Sequence, residues 1–364
     1  MGYSYSSWGG CSYSSKYSYS SWGNHSSSSW GSNYSSWGSY SYGSWGSKSW
    51  DSWGKYSWSS KYSWGSKSCY SWGNTGTDGE DTVSSGEDTV AGGEDTVASL
   101  DDYITGTSAG EILDGGDGND TLKAGEGADT LYGGAGDDEL VGGDDADEAY
   151  GDSGSDTLYG EQGDDTLNGG DNGDALYGGT GNDLIQGGTG DDLLEGNEDD
   201  DTLMGWDGND TMDGGTGNDS MTGGTGNDQM EGGDGDDTMD GQEDDDILHG
   251  GLGNDDIGGG TGDDTLYGDD GDDILNGGEG ADVLEGGAGN DTYVLAKDGS
   301  SDQIVGFEQG ADVIDLRDTG ITYEDLMIST DDEGVTRISF DDEELARLDG
   351  TDAADFEESD FIFG

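Results

Sequence analysis

Between Gly106 and Val294 the chain runs through twenty-one consecutive nine-residue units without an insertion or deletion. Each unit follows G-G-x-G-x-D-x-U-x, where U is a large apolar residue. From Gly115 onward the sixth position is always aspartate: Asp120, Asp129, Asp138, Asp147, Asp156, Asp165, Asp174, Asp183, Asp192, Asp201, Asp210, Asp219, Asp228, Asp237, Asp246, Asp255, Asp264, Asp273, Asp282 and Asp291. The first unit carries Glu111 there, and the eighth position is Leu, Ile or Met except at Ala149 and Tyr293.

A stretch of six residues this rich in glycine makes a tight turn through left-handed backbone conformations that Gly accepts freely and Asn or Asp at some cost. The remaining x-U-x reads as a very short strand, with U pointing inward and its neighbours outward. Two units then form one coil of a flattened solenoid, and alternate units stack about 4.8 Å apart. Stacking sets aspartates eighteen residues apart over one another, Asp120 against Asp138 and Asp129 against Asp147. Bare carboxylates so placed repel, so the column requires a cation between each pair. Oxygen donors without His or Cys in the turns select a hard dication, calcium, with turn carbonyls completing its shell. Nine gaps on each side set an upper estimate of about eighteen ions.

These residues resemble the RTX (hemolysin-type) calcium-binding nonapeptide family, which implies an all-β, calcium-bound parallel β-roll, a β-solenoid, with the twenty aspartates as metal ligands. The pattern departs at its fourth position in Asp145, Asn172, Asp199 and Asp244, where Asn and Asp are the next best left-handed residues. The unit from Gly142 to Tyr150, with Ala149 as its core residue, is expected to be the weakest coil.

Charge supports a dependence on metal. The formal net charge is -75, and residues 74–364 hold 84 acidic and five basic groups. A polyanion with so few apolar residues stays disordered unless something neutralises it. The expectation is a chain unfolded without calcium and folded with it.

Ahead of the repeats, residues 1–73 are almost wholly Ser, Tyr, Trp, Gly and a few Lys, with ten of the eleven tryptophans. Aromatics spread on flexible spacers build no packed core, so this segment reads as a disordered low-complexity tail, available for self-association or for contact with a polysaccharide or other surface. Nucleic acid is excluded as a partner, since the acidic remainder repels phosphate. Residues 74–105 contain Gly-Glu-Asp-Thr-Val three times, at Gly79, Gly86 and Gly93, and read as an acidic linker. The two cysteines, Cys11 and Cys69, both lie in the tail and offer no disulfide framework.

Residues 295–364 lose the period and become rich in strand-like apolar runs, such as Ile338-Ser339-Phe340. They read as a small β-rich cap over the open end of the solenoid. The run from Gly306 to Ile314 and the closing Asp360-Phe361-Ile362-Phe363 also resemble the C-terminal type I secretion region that follows RTX repeats. That resemblance implies export by the type I secretion machinery to the extracellular space. The N-terminal residues show no conventional signal peptide, and no apolar run is long enough for a transmembrane helix.

No catalytic constellation is expected. The two histidines, His25 and His249, form no zinc motif, and the nucleophile-like Gly106-Thr107-Ser108-Ala109-Gly110 falls in register with the repeat. The Met212, Met221, Met230 and Met239 series occupies the inward position and reads as core. The functional expectation is a secreted protein that folds on calcium binding outside the cell, with a structural or adhesive role. Alternatives are a soluble calcium-buffering module without adhesion and, from scattered Gly-Thr-Gly-Asn-Asp turns, an ice-binding surface.

Overall fold

The computed structural model describes residues 101–364 together with four short strands ahead of them, Ser47–Trp50, Tyr56–Ser59, Asp81–Thr82 and Asp95–Thr96. The expectation of a disordered tail falls on residues that otherwise lie outside this description. The chain divides into two compact units, Met1–Thr75 and Gly76–Gly364. In the first, Ser47–Trp50 pairs antiparallel with Tyr56–Ser59.

In the second unit the nine-residue period becomes two parallel sheets wound by one chain. Successive units alternate between sheet 1, of sixteen strands, and sheet 2, of fourteen. Each strand pairs with the one eighteen residues on, as Leu122 with Leu140 and Leu131 with Ala149. The eighth-position residues face each other between the sheets, and Leu122 through Tyr293 are all at most 2 % exposed. The four methionines take their places in this row, at 1–2 % exposure.

The strands are longer than the three residues expected. Thr130–Ala135 is typical: six residues, running from the seventh position through both glycines into the next unit, and Thr121–Glu126 does the same with Ala124 in place of the first glycine. Side chains alternate along it, so the eighth and first positions both face inward. The first position is therefore a second interior site, small because a neighbouring carboxylate occupies the space above it.

The second and fourth positions take positive φ, as at Gly134 (108°) and Gly136 (135°). Asp145, Asn172, Asp199 and Asp244 adopt the same left-handed conformation at φ 79–80°. So does Trp206, a second-position residue at φ 78° with 55 % of its surface exposed. A bulky left-handed residue is strained by roughly 1–2 kcal/mol, part of which glycine's extra freedom in the unfolded chain cancels. Trp206→Gly should therefore stabilise the calcium-saturated protein by about 0.5–1 kcal/mol, read as a higher melting temperature. A lower one would mean that the indole makes contacts worth more than the strain.

Stacking starts before the first full unit. Asp102–Thr105 pairs with Thr121–Lys123 and buries Ile104, while Asp81–Thr82 and Asp95–Thr96 add to sheets 1 and 2. Beyond the last unit, Asp302–Val305 and Val313–Asp315 continue the two sheets after steps of twenty and twenty-one residues. A β-rich cap follows. Met327–Thr330, Val335–Phe340 and Glu343–Asp349 form an antiparallel set docked on Asp302–Ile304, and Phe361–Ile362 pairs with Ile314–Asp315. Tyr293, Phe307, Phe356 and Phe361 run ring against ring at 5.4–5.9 Å, covering the end of the apolar row.

Candidate metal columns

Each sixth-position aspartate closes a turn just before a strand, and alternation between sheets sorts the twenty into two columns of ten. Asp120 to Asp282 stack on one side and Asp129 to Asp291 on the other. All twenty are at most 5 % exposed. The carboxylates do not simply face one another. The Asp120 backbone N–H donates to Asp138 Oδ1 at 2.7 Å, and the Asp129 N–H to Asp147 Oδ1 at 2.7 Å. The same bond climbs both columns, through Asp264 N–H on Asp282 Oδ1 at 2.9 Å in one and Asp273 N–H on Asp291 Oδ1 at 3.1 Å in the other.

That ladder uses one oxygen of each carboxylate. The other, Oδ2, is buried without a hydrogen-bond donor in all twenty residues. An isolated buried oxygen of this kind costs about 1–3 kcal/mol, and native proteins rarely tolerate a run of them. The glycines show what faces it. A Cβ at Gly214 would lie 2.5 Å from Asp219 Oδ2 and 2.6 Å from the Gly232 carbonyl oxygen. Carboxylate and carbonyl thus converge over the first-position glycine, and the pairing recurs along the roll, for example at Gly133 with Asp138 Oδ2 and the Gly151 carbonyl. Among the described residues no three His, Cys, Asp or Glu side chains are grouped to hold a metal ion by themselves. A cation would draw its remaining donors from backbone carbonyls, and an all-oxygen set of this kind fits calcium.

Burial pushes the column carboxyls up, to about 7 at Asp138, Asp165, Asp183 and Asp210 and about 6 at Asp156 and Asp228, against the ordinary 3.8. The N–H bonds oppose the shift, and the nearby carboxylates add to it at each of these residues. The metal-free folded roll therefore binds more protons than the unfolded chain. Its stability is greatest below about pH 4 and falls as pH rises through about 7. In chelator, strand signal should grow on acidification from pH 7.5 to 4.5, whereas apparent calcium affinity should weaken over the same range, because ion and proton compete for one oxygen. Circular dichroism and calcium titration across this range test both signs.

Some column members escaped the sequence pattern. The Asp102 N–H donates to Asp120 Oδ1 at 2.6 Å, and Asp302 and Asp312 accept from Asp282 and Asp291 N–H at 3.3 and 3.1 Å. Their signal is D-x-U-x outside the nine-residue period, in Asp102-Tyr103-Ile104, Asp302-Gln303-Ile304 and Asp312-Val313-Ile314. Two ends are closed by protein donors. Asp312 Oδ2 accepts from Glu308 N–H at 2.7 Å, and the Glu111 carboxylate accepts from the Thr107 N–H at 2.7 Å and from the Thr107 hydroxyl. A separate ladder of fifth-position Asn and Asp lies on the exposed side of the turns, as in Asn209 N–H to Asp191 Oδ1 and Asn227 N–H to Asn209 Oδ1, each 2.9 Å.

Comparison with known proteins gives this geometry a family. The chain is 34 % identical to the AlgE6R3 subunit of the Azotobacter vinelandii mannuronan C5-epimerase, over 34 % of this chain and 80 % of that one, with a TM-score of 0.29. The AlgE6R2 subunit of the same enzyme is also 34 % identical, over 33 % and 88 %, with a TM-score of 0.30. The extracellular lipase LipA of Serratia marcescens is 18 % identical, over 53 % and 40 %, with a TM-score of 0.22. No curated protein sequence matches. The model of the RTX calcium-binding nonapeptide repeat matches in seven overlapping or adjoining segments that together run from residue 105 to 293. That is more than half of the 364 residues, and the chain belongs to the RTX calcium-binding nonapeptide repeat family.

Proposed function

We propose that this is a secreted protein whose roll folds when calcium binds outside the cell, and that its role there is structural or adhesive and not catalytic. The observation that carries the reading is the double row of buried Oδ2 atoms without donors. The ligands would be the column aspartates from Asp120 to Asp291 together with turn carbonyls such as that of Gly232. Bound calcium supplies the positive charge that lets these carboxylates remain ionised inside the roll. The chain's own part is to hold each carboxylate by its Oδ1 bond and to keep a small first-position residue beneath it, glycine in every unit of the columns but that of Ala124.

A dissociation constant of about 0.1–1 mM suits an extracellular module, since such sites stay empty where calcium is scarce. The proposed division is tail 1–73, linker 74–105, roll 106–294, and cap with type I secretion region 295–364. Among the described residues no helix is long and apolar enough to cross a membrane. Calorimetric calcium titration of the whole chain should show many ions bound per chain, up to about eighteen. One or two ions would reject the column assignment. Deletion of residues 1–73 should reduce self-association and surface retention while leaving calcium uptake intact; unchanged retention would remove the adhesive role.

A further inference from the structure

Outside the columns, the outer face of sheet 1 carries a groove of about 730 Å³. Its floor is low because Gly125, Gly142, Gly143 and Val141 project little. At one end stands Tyr159, stacked on Tyr177 with ring centroids 5.0 Å apart and planes 10° from parallel. Tyr177 covers one face of that ring. The other looks over Val141, its partner in register on the preceding strand, which is too short to cover it. At the far end Lys123 Nζ donates to Glu139 Oε1 at 2.8 Å. Glu126, Asp144 and Glu161 line the same groove, and the Gln162 amide holds Asp144 Oδ1 at 2.8 Å.

We propose that this groove is a saccharide subsite, independent of the calcium columns. An open tyrosine face takes the apolar face of a pyranose ring, and carboxylates with an ammonium around it pair with hydroxyl groups. The volume lies within the range of small-molecule sites, and the groove spans four rungs, roughly 14 Å, long enough for more than one ring. Four carboxylates against one lysine repel a uronate. The ligand is therefore a short oligomer of neutral or amine-bearing hexoses, with its ring continuing the Tyr177–Tyr159 stack above Val141.

The test uses the calcium-saturated full chain and three probes in calorimetry: a glucosamine trimer, a β-linked glucose trimer and a guluronate trimer. Binding of at least one of the first two, with the guluronate trimer at least tenfold weaker, is the expected result. Tyr159→Ala should weaken the bound trimer at least tenfold. Val141→Tyr, which extends the stack and fills the slot, should abolish binding while calcium uptake and strand signal stay at wild-type values. The inference is overturned if neither neutral nor amino trimer binds, if the guluronate trimer binds best, or if both variants bind like the wild type.

Discussion

Chelating calcium at pH 7 should abolish the strand signal of the roll, and restoring calcium should bring it back. Twenty buried Oδ2 atoms lack a donor, and at about 1–3 kcal/mol each their combined cost exceeds the 5–15 kcal/mol by which a whole domain is stable. Protonation relieves them only near or below pH 6–7, where the column carboxyls titrate. Residues 74–364 also repel themselves through 84 acidic groups against five basic ones. The apolar row cannot compensate, since it contributes a single large side chain per nine residues. Far-ultraviolet circular dichroism with chelator and with calcium decides the matter. A roll that keeps its strand signal in chelator at neutral pH would show that its buried oxygens are satisfied by something other than metal.

The second large effect is expected from Gly214→Val, in the middle of the roll. Its Cβ would fall 2.5 Å from Asp219 Oδ2 and 2.6 Å from the Gly232 carbonyl, so both oxygens must move. Displacing a carboxylate from a buried, hydrogen-bonded position costs about 3–5 kcal/mol. The calcium-dependent transition should split into two, one for the coils on each side, and total uptake should fall by at least one ion. Unchanged stoichiometry and a single transition would show that the converging oxygens hold nothing. Ala124 is the native contrast: it occupies a first position, 1 % exposed, near the start of the roll. Ala124→Gly should tighten calcium binding there.

The nine-residue period was enough to place Leu122 over Leu140, to sort the aspartates into two columns, and to mark Asp145, Asn172, Asp199 and Asp244 as left-handed. Each of these follows from local steric preference or from simple arithmetic on the repeat. The second-position residues Asp152, Glu161, Asn197, Trp206, Gln242 and Asp269 share the left-handed conformation at φ 69–82°. Their place in the repeat marks them as the fourth-position residues were marked, although Trp206 and Glu161 have no left-handed preference of their own.

Other features needed the folded chain because they depend on groups that meet through space. The letter D at the sixth position does not say that Oδ1 is taken by the backbone N–H of the coil before it and that Oδ2 is left over. Nor does it say that Asp312 finds a protein donor for both oxygens while Asp291 does not. The strand's passage through two glycines, which turns the first position inward, also depends on the neighbouring coil. So does the groove, which exists because short Val141 lies in register with Tyr159. Sequence by itself determined the coil length, the inward row and the aspartate that recurs at the sixth position, because a strict period constrains every unit alike. Tertiary structure decided which oxygen is free and where the columns end, because hydrogen-bond partners eighteen to twenty-one residues apart are assigned only when coils stack.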